Sequence, residues 1–338
     1  MYKNPLSFLA IAICFLHMSQ WVIGADTDNT QQSQSTSSSE DQTVSQKVDN
    51  YHETTGRFLL SSAKWIDSFF ADDNYTEEAN KTYLRTRIDG FTEEGESFES
   101  DFRYKLRLHL PGTKNKWALR IGSDEDLFDD QNETSTTFAR NRLDETEDDT
   151  TVALERFLFN QDGHNLKLSG GVRIRSGSVV GYASSRYRYQ TKVDEWTVRF
   201  TERPRWYDDD GWESRTRLDF ERPLNEKLFF RITPGLDWYE RRDGLYYSLT
   251  SSVSQPLDEK RGLQYELNNY FWTEVSGHHQ ETNVRIRYRE KIYKDWLILE
   301  IAPQLAWYEE RDYDTIPGIF IRLESWFGNF SDRNILDY

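Results

Sequence analysis

From about residue 82 onward, apolar and polar side chains alternate with a period of two. The stretch Phe102–Leu110 shows the pattern without a break. Phe102, Tyr104, Leu106, Leu108 and Leu110 fall on one side of an extended strand, and Arg103, Lys105, Arg107 and His109 fall on the other, because successive side chains of a strand point to opposite faces. A helix would scatter the same basic residues around its axis. Pro111-Gly112 ends the run, and Trp117, Leu119 and Ile121 resume it on the way back.

The same alternation predicts about fourteen strands, at 81-90, 99-110, 116-123, 150-159, 164-175, 179-190, 195-203, 212-222, 227-239, 244-255, 261-273, 281-290, 295-308 and 316-327. In one of them Val284, Ile286 and Tyr288 alternate with Arg285, Arg287 and Arg289. In another, Leu166, Leu168, Val172 and Ile174 alternate with Lys167, Ser169, Arg173 and Arg175. Span 150-159 separates its two faces least cleanly. The connections alternate too. Short ones (111-115, 160-163, 191-194, 223-225, 256-260, 291-294) take turns with longer or more acidic ones (91-98, 124-149, 204-211, 240-243, 274-280, 309-315). Short turns on one side and long loops on the other mark an outer-membrane barrel. An even strand number puts both chain ends on the short-turn, periplasmic side.

Composition narrows what touches the apolar faces. Mean hydropathy is -0.83, yet 15% of residues are aromatic, with 11 Trp, 19 Tyr and 20 Phe. Disordered chains are poor in aromatics, whereas a barrel has half-polar strands and aromatic girdles. Trp196, Trp238, Trp296 and Trp307 lie near strand ends. Outside the N-terminus no run approaches the ~18 apolar residues of a membrane helix. The net charge of -16 argues against a general nucleic-acid binder, which needs a basic footprint.

The N-terminal third of the pattern differs. Residues 1-25 read as a secretory signal, with Lys3, an apolar Leu6–Leu16 stretch and small residues near Gly24 and Ala25. The single cysteine, Cys14, lies inside that stretch. Residues 26-45 are a polar linker, disordered by composition. Over 46-72 the period becomes helical, predicting one amphipathic helix on the periplasmic side. The barrel proper spans 80-327, with a tail at 328-338.

The strand pattern, the alternating turns and the aromatic-rich Gly318–Phe327 segment together resemble the bacterial outer-membrane β-barrel (porin-like) superfamily. No specific family is matched, and the tail beyond Phe327 departs from the superfamily's usual aromatic ending. The resemblance covers about residues 80-327. It implies an all-β fold, a closed antiparallel transmembrane barrel in the outer membrane of a Gram-negative bacterium. It also implies contact with outer-membrane lipid and lipopolysaccharide, and handling by the barrel-insertion machinery.

If the apolar rows meet lipid, the basic rows line a lumen: Arg85, Arg87, Arg103, Lys105, Arg107, Arg120, Arg173, Arg175, Arg199, Arg215, Arg217, Arg231, Arg285, Arg287 and Arg289, with Arg186, Arg188 and Arg322 on the same faces. Asp219, Asp237, Glu266, Glu300 and Glu324 share them. Rings of Arg or Lys favour anions, which predicts a passive pore for small polar or anionic solutes. The rival is a closed structural or receptor barrel whose lumen is shut by Arg-Glu and Arg-Tyr hydrogen bonds. A third reading, a lipid-modifying enzyme, would use Ser276 with His278 and His279. A Ser-His pair needs an orienting third group, and adjacency within a loop does not supply one. A fourth, a soluble secreted sandwich, would bury the apolar rows against a second sheet. No cofactor or metal site is expected, since His109 and His164 are isolated. Residues 122–150 hold eleven acids without calcium-loop spacing, and read as a solvated acidic face.

Overall fold

The computed structural model describes residues 82–110, 117–123, 150–161, 163–175, 177–225, 227–273 and 278–328. Fourteen strands follow one another: β1 (Tyr83–Glu93), β2 (Glu99–His109), β3 (Trp117–Ser123), β4 (Thr150–Gln161), β5 (His164–Arg175), β6 (Ser178–Val193), β7 (Trp196–Tyr207), β8 (Gly211–Asn225), β9 (Leu228–Tyr239), β10 (Tyr246–Pro256), β11 (Arg261–Trp272), β12 (His278–Tyr293), β13 (Leu297–Tyr308) and β14 (Ile316–Gly328). Each pairs antiparallel with its sequence neighbours. β1 also pairs with β14, so the sheet closes on itself. A closed sheet leaves no edge with unpaired backbone groups. The signal at 1-25, the linker at 26-45, the helix at 46-72, the turn at 111-115, the acidic connection at 124-149, Ser276 and residues 329-338 lie outside the described residues.

All fourteen predicted spans fall on strands, and the ends move. β1 runs on to Glu93, into the connection expected at 91-98, because Gly318 on β14 still pairs with it there. β7 runs past the expected end at 203. Pro204, the first residue of the expected connection, lies within β7, and its missing N–H interrupts the ladder on one side only. The β6–β7 pairing resumes at Ser184–Arg205, and on the other side Pro204 pairs with Ser214 in unbroken register. β12 begins at His278, so the two histidines expected in a loop belong to a strand paired with Phe271 and Trp272. β4, whose faces did not separate, slips register between Phe157 and Phe159. An extra residue there returns two neighbours to the same side. At the β4–β5 turn Gly163 has φ +78°, and a Cβ on it would come 2.2 Å from the Gln190 carbonyl oxygen. Glycine alone takes that position.

The inside-outside order is the reverse of a soluble core. Arg85, Arg87 and Asp89 on β1 are buried, while Ile88 between them is 54% exposed. Likewise Val284 and Ile286 are exposed and Arg285 and Arg287 buried. The outer wall is thus a band of Leu, Ile, Val and aromatic side chains. Its two rims are aromatic. Trp196 meets Phe230, and Trp296 meets Tyr293 and Phe327, at the short-turn end. Trp206, Trp212, Trp238 and Trp307 occupy the opposite end. Apolar interior clusters are small, such as Phe91 with Ala302 and Phe320 near the long-connection end, and Tyr83 with Ile298 and Trp326 near the other.

Candidate functional site: the charged interior

The inward rows bring cations from almost every strand into one space. Of the fifteen residues the sequence singled out, Arg85, Arg87, Arg103, Lys105, Arg107, Arg120, Arg173, Arg199, Arg231, Arg285, Arg287 and Arg289 are buried. Arg175, Arg215 and Arg217 are half-buried. Arg186, Arg188 and Arg322 are buried as well.

Three acidic hubs organise them. Glu300 on β13 accepts two hydrogen bonds from Arg287, at 2.8 and 2.9 Å, and a third from Arg289 at 3.2 Å. Arg287 also donates to Glu266 at 3.0 Å and to Gln264 at 2.9 Å. Arg289 reaches on to both oxygens of Glu324 at 3.1 Å. The second hub is Glu221 on β8, which accepts from Arg231 at 2.8 Å and from Arg199 at 3.2 Å. Close by, Arg217 holds Asp237 at 2.6 and 3.2 Å, and the Thr233 hydroxyl donates to Asp219 at 2.6 Å. The third is Glu155 on β4, in ion pairs with Arg120, with Lys167 at 3.3 Å and with Arg107 at 3.7 Å. These geometries follow from register. A side chain on one strand meets the same-face residue opposite it or two positions along, as Arg289 opposite Glu300 and Arg322 opposite Asp89 do.

Asp89, Glu155 and Glu221 were missed in the sequence, although each sits on the inward parity of its strand. Asp89 follows Arg85 and Arg87 at steps of two. Glu221 follows Arg217 and Asp219. Glu155 lay on the strand whose faces the bulge confused.

Elsewhere in the interior cation stands opposite cation. On β1 to β3 the register sets Arg85 opposite Lys105, Arg87 opposite Arg103 and Arg107 opposite Arg120. Like charges directly opposite repel, and the acids beside these pairs are Asp101 on Arg103 and Glu155 on Arg107 and Arg120. Across the interior, β10 and β11 present the buried, neutral Thr250, Ser252, Ser254, Gln264 and Asn268, with the buried Glu266 among them. At the long-connection end Arg173 lies over the Tyr207 ring, 4.0 Å from its centroid, and bonds Asp209 at 3.0 Å and Asp210 at 2.7 Å. That mouth therefore meets acid first and base beneath it.

Of the histidines, His109 lies on the inward row of β2 opposite the buried Ala118, while His278, His279 and His164 lie apart from the charged hubs. His278 pairs with Glu309 at 2.6 Å, and His279 bonds the Thr282 hydroxyl at 2.8 Å and stacks on Tyr313. His164 meets the Tyr187 hydroxyl at 2.7 Å on the outer wall.

No protein-family model matches the chain, and no curated protein matches it. Solved structures similar to it are barrels. OmpT of Vibrio cholerae in a loop-deleted form, an outer membrane protein, is 12% identical over 73% of this chain and 98% of its own, with a TM-score of 0.41. The KdgM porin with a disordered oligogalacturonate is 10% identical over 72% and 99%, at 0.35. An anion-selective porin from Comamonas acidovorans is 7% identical over 73% and 98%, at 0.41.

Proposed function

We propose that this chain spans the outer membrane of a Gram-negative bacterium and passes small anionic or polar solutes through its interior. One observation carries the reading: around a closed sheet, the apolar rows face out and the guanidinium rows face in. Lipid offers no partners to the backbone, which a closed barrel does not require, and an apolar outer band with a polar interior is what such a wall needs. The opposed cations of β1 to β3 lower the cost of bringing an anion inside. In this reading the short turns, and both termini, lie in the periplasm. The outer wall meets lipid and lipopolysaccharide, insertion requires the barrel-assembly machinery, and residues 1-25 are removed as a signal. No chemical step is assigned.

A second reading has its own support. Arg85, Arg87, Arg285 and Arg287 are among the largest fully buried side chains, as a closed structural or receptor barrel would have them. Purified full-length protein in planar bilayers separates the two. Discrete conductance steps with a reversal potential on the anion side are expected. Silence selects the closed barrel, and a cation-side reversal potential overturns the anion preference.

A further inference from the structure

Two ionisable side chains interrupt the apolar outer wall well inside the strand ends. Arg156 on β4 lies on the outward row between Leu154 and Leu158, five residues before Gln161 at the short-turn end. It covers the Trp117 ring at 5.1 Å. Glu202 on β7 lies on the outward row between Phe200 and Pro204, six residues after Trp196 at the same end. Its carboxylate accepts hydrogen bonds from the hydroxyls of Ser214 and, at 2.5 Å, Thr216, both on β8. Among the described residues neither charge has an ion-pair partner. A charge on the lipid face is costly, and most so for Arg near mid-depth.

Beside the line that joins them, toward the long-connection end, the surface is low. Leu168 is opposite Arg156, Ser185 is opposite Leu168, and Tyr187 is opposite Glu202. The outward row here also includes Gly170, Gly181 and Ala183. The barrel does not need these glycines. A Cβ on Gly170 would meet nothing nearer than 3.7 Å, and one on Gly181 nothing within 4 Å. Small residues on a membrane-facing surface let another backbone approach closely.

We propose that this wall, β4 to β7, is the contact between two copies of this chain. It rests on the membrane-spanning reading above. Arg156 and Glu202 stand three strand spacings apart, about 14 Å, at similar height on either side of the small-residue floor. A two-fold axis along the membrane normal through that floor brings Arg156 of each barrel to Glu202 of the partner subunit. The patch is then self-complementary, as an isologous interface must be. The two long side chains bridge the gap that opens where the convex walls curve apart. Each charge gains its counter-ion, and both leave lipid together.

The test uses full-length protein in its native membrane, with Cys14→Ser and a reporter Ser185→Cys near the axis. Oxidation is expected to give a disulfide-linked dimer, while Val253→Cys on β10, far around the wall, gives none. Arg156→Glu or Glu202→Arg alone should cut the cross-linked fraction about tenfold, and the two together should restore it. Cross-linking that is absent, or indifferent to both reversals, in a barrel that still shows heat-modifiable migration from the outer membrane overturns the dimer and leaves the membrane reading intact. Recovery of the parent chain from the soluble fraction overturns the membrane reading itself.

Discussion

Arg322 on β14 grips Asp89 on β1 with two parallel hydrogen bonds, Nε to Oδ1 at 2.7 Å and Nη2 to Oδ2 at 2.8 Å. The two are register partners across the seam where the first and last strands meet. The pair is buried, and two-pronged contacts of this kind fix orientation as well as adding energy. Asp89→Ala removes a buried carboxylate that Arg322 grips with two hydrogen bonds, so it should cost about 3 kcal/mol. Joint replacement of Asp89 and Arg322 by Leu should cost less than Asp89→Ala alone, since the guanidinium that loses this partner is removed with it. Urea unfolding in micelles, followed by tryptophan fluorescence, measures both. Equal midpoints for parent and Asp89→Ala would show that the seam does not depend on this pair.

Charge changes in the interior should act in opposite directions on selectivity. Arg107→Glu puts an acid beside Glu155, 3.7 Å from Arg107 in the parent, and should move the reversal potential toward cations. Glu300→Gln removes the acid shared by Arg287 and Arg289. It should move the potential toward anions and destabilise the fold by about 2 kcal/mol, within the range for a buried charged group that loses its partner. Movement of both variants in the same direction would place the conducting path away from these groups.

Outer and inner rows should tolerate charge differently. Ile286 is exposed on the outer wall between the inward Arg285 and Arg287. Ile286→Arg should weaken insertion by about 2–4 kcal/mol if the site is near mid-depth. Heat-modifiable migration of the membrane fraction reads the folded, inserted share. Unchanged insertion would mean that Ile286 does not face lipid.

One acid outside the spanning strands sets a pH dependence. Asp258, in the turn between β10 and β11, accepts a hydrogen bond from the Arg261 guanidinium at 2.7 Å and from the Lys260 and Arg261 amides at 2.9 Å. The Arg261 hydrogen bond foremost, then the Lys260 amide, hold its carboxyl below the usual value. A lowered pKa in the folded chain means that this contribution to stability is present above the unfolded pKa. It fades as pH falls through the folded one. Asp258→Ala should therefore melt below the parent at pH 7, and the gap should close in acid, as pH falls below the ordinary Asp value of about 3.9 and through the lower folded one. A gap that persists unchanged at pH 2 would assign the difference to turn geometry rather than ionisation.

Much of the architecture was legible locally. The alternation of Phe102 to Leu110 or of Val284 to Arg289 is a property of one strand, and parity alone sorts its residues into two rows. The site was legible as rows rather than as contacts. Glu300 was recognised as inward, but its hold on Arg287 and Arg289 depends on which residue stands opposite which. Glu155 was lost because a single extra residue in β4 returns its neighbours to one face. Glu202 lies within the expected span 195-203, one residue from its end, and its place on the outward row shows only once β7 runs on to Tyr207.

By itself the sequence determined the number of strands and their two faces, because a side chain's direction along a strand depends only on its position in the chain; the strict alternation of turn lengths does not hold, since β5 and β6 are joined by two residues and β7 and β8 by three. Register and closure decided the rest. Strand pairing brings Asp89 to Arg322 over a separation of 233 residues, gathers the cations of β1 to β3 into opposed pairs, and sets Arg156 and Glu202 on either side of one low patch. Such neighbours come from hydrogen bonds between strands, and no residue's own side-chain pattern encodes its offset against the next strand.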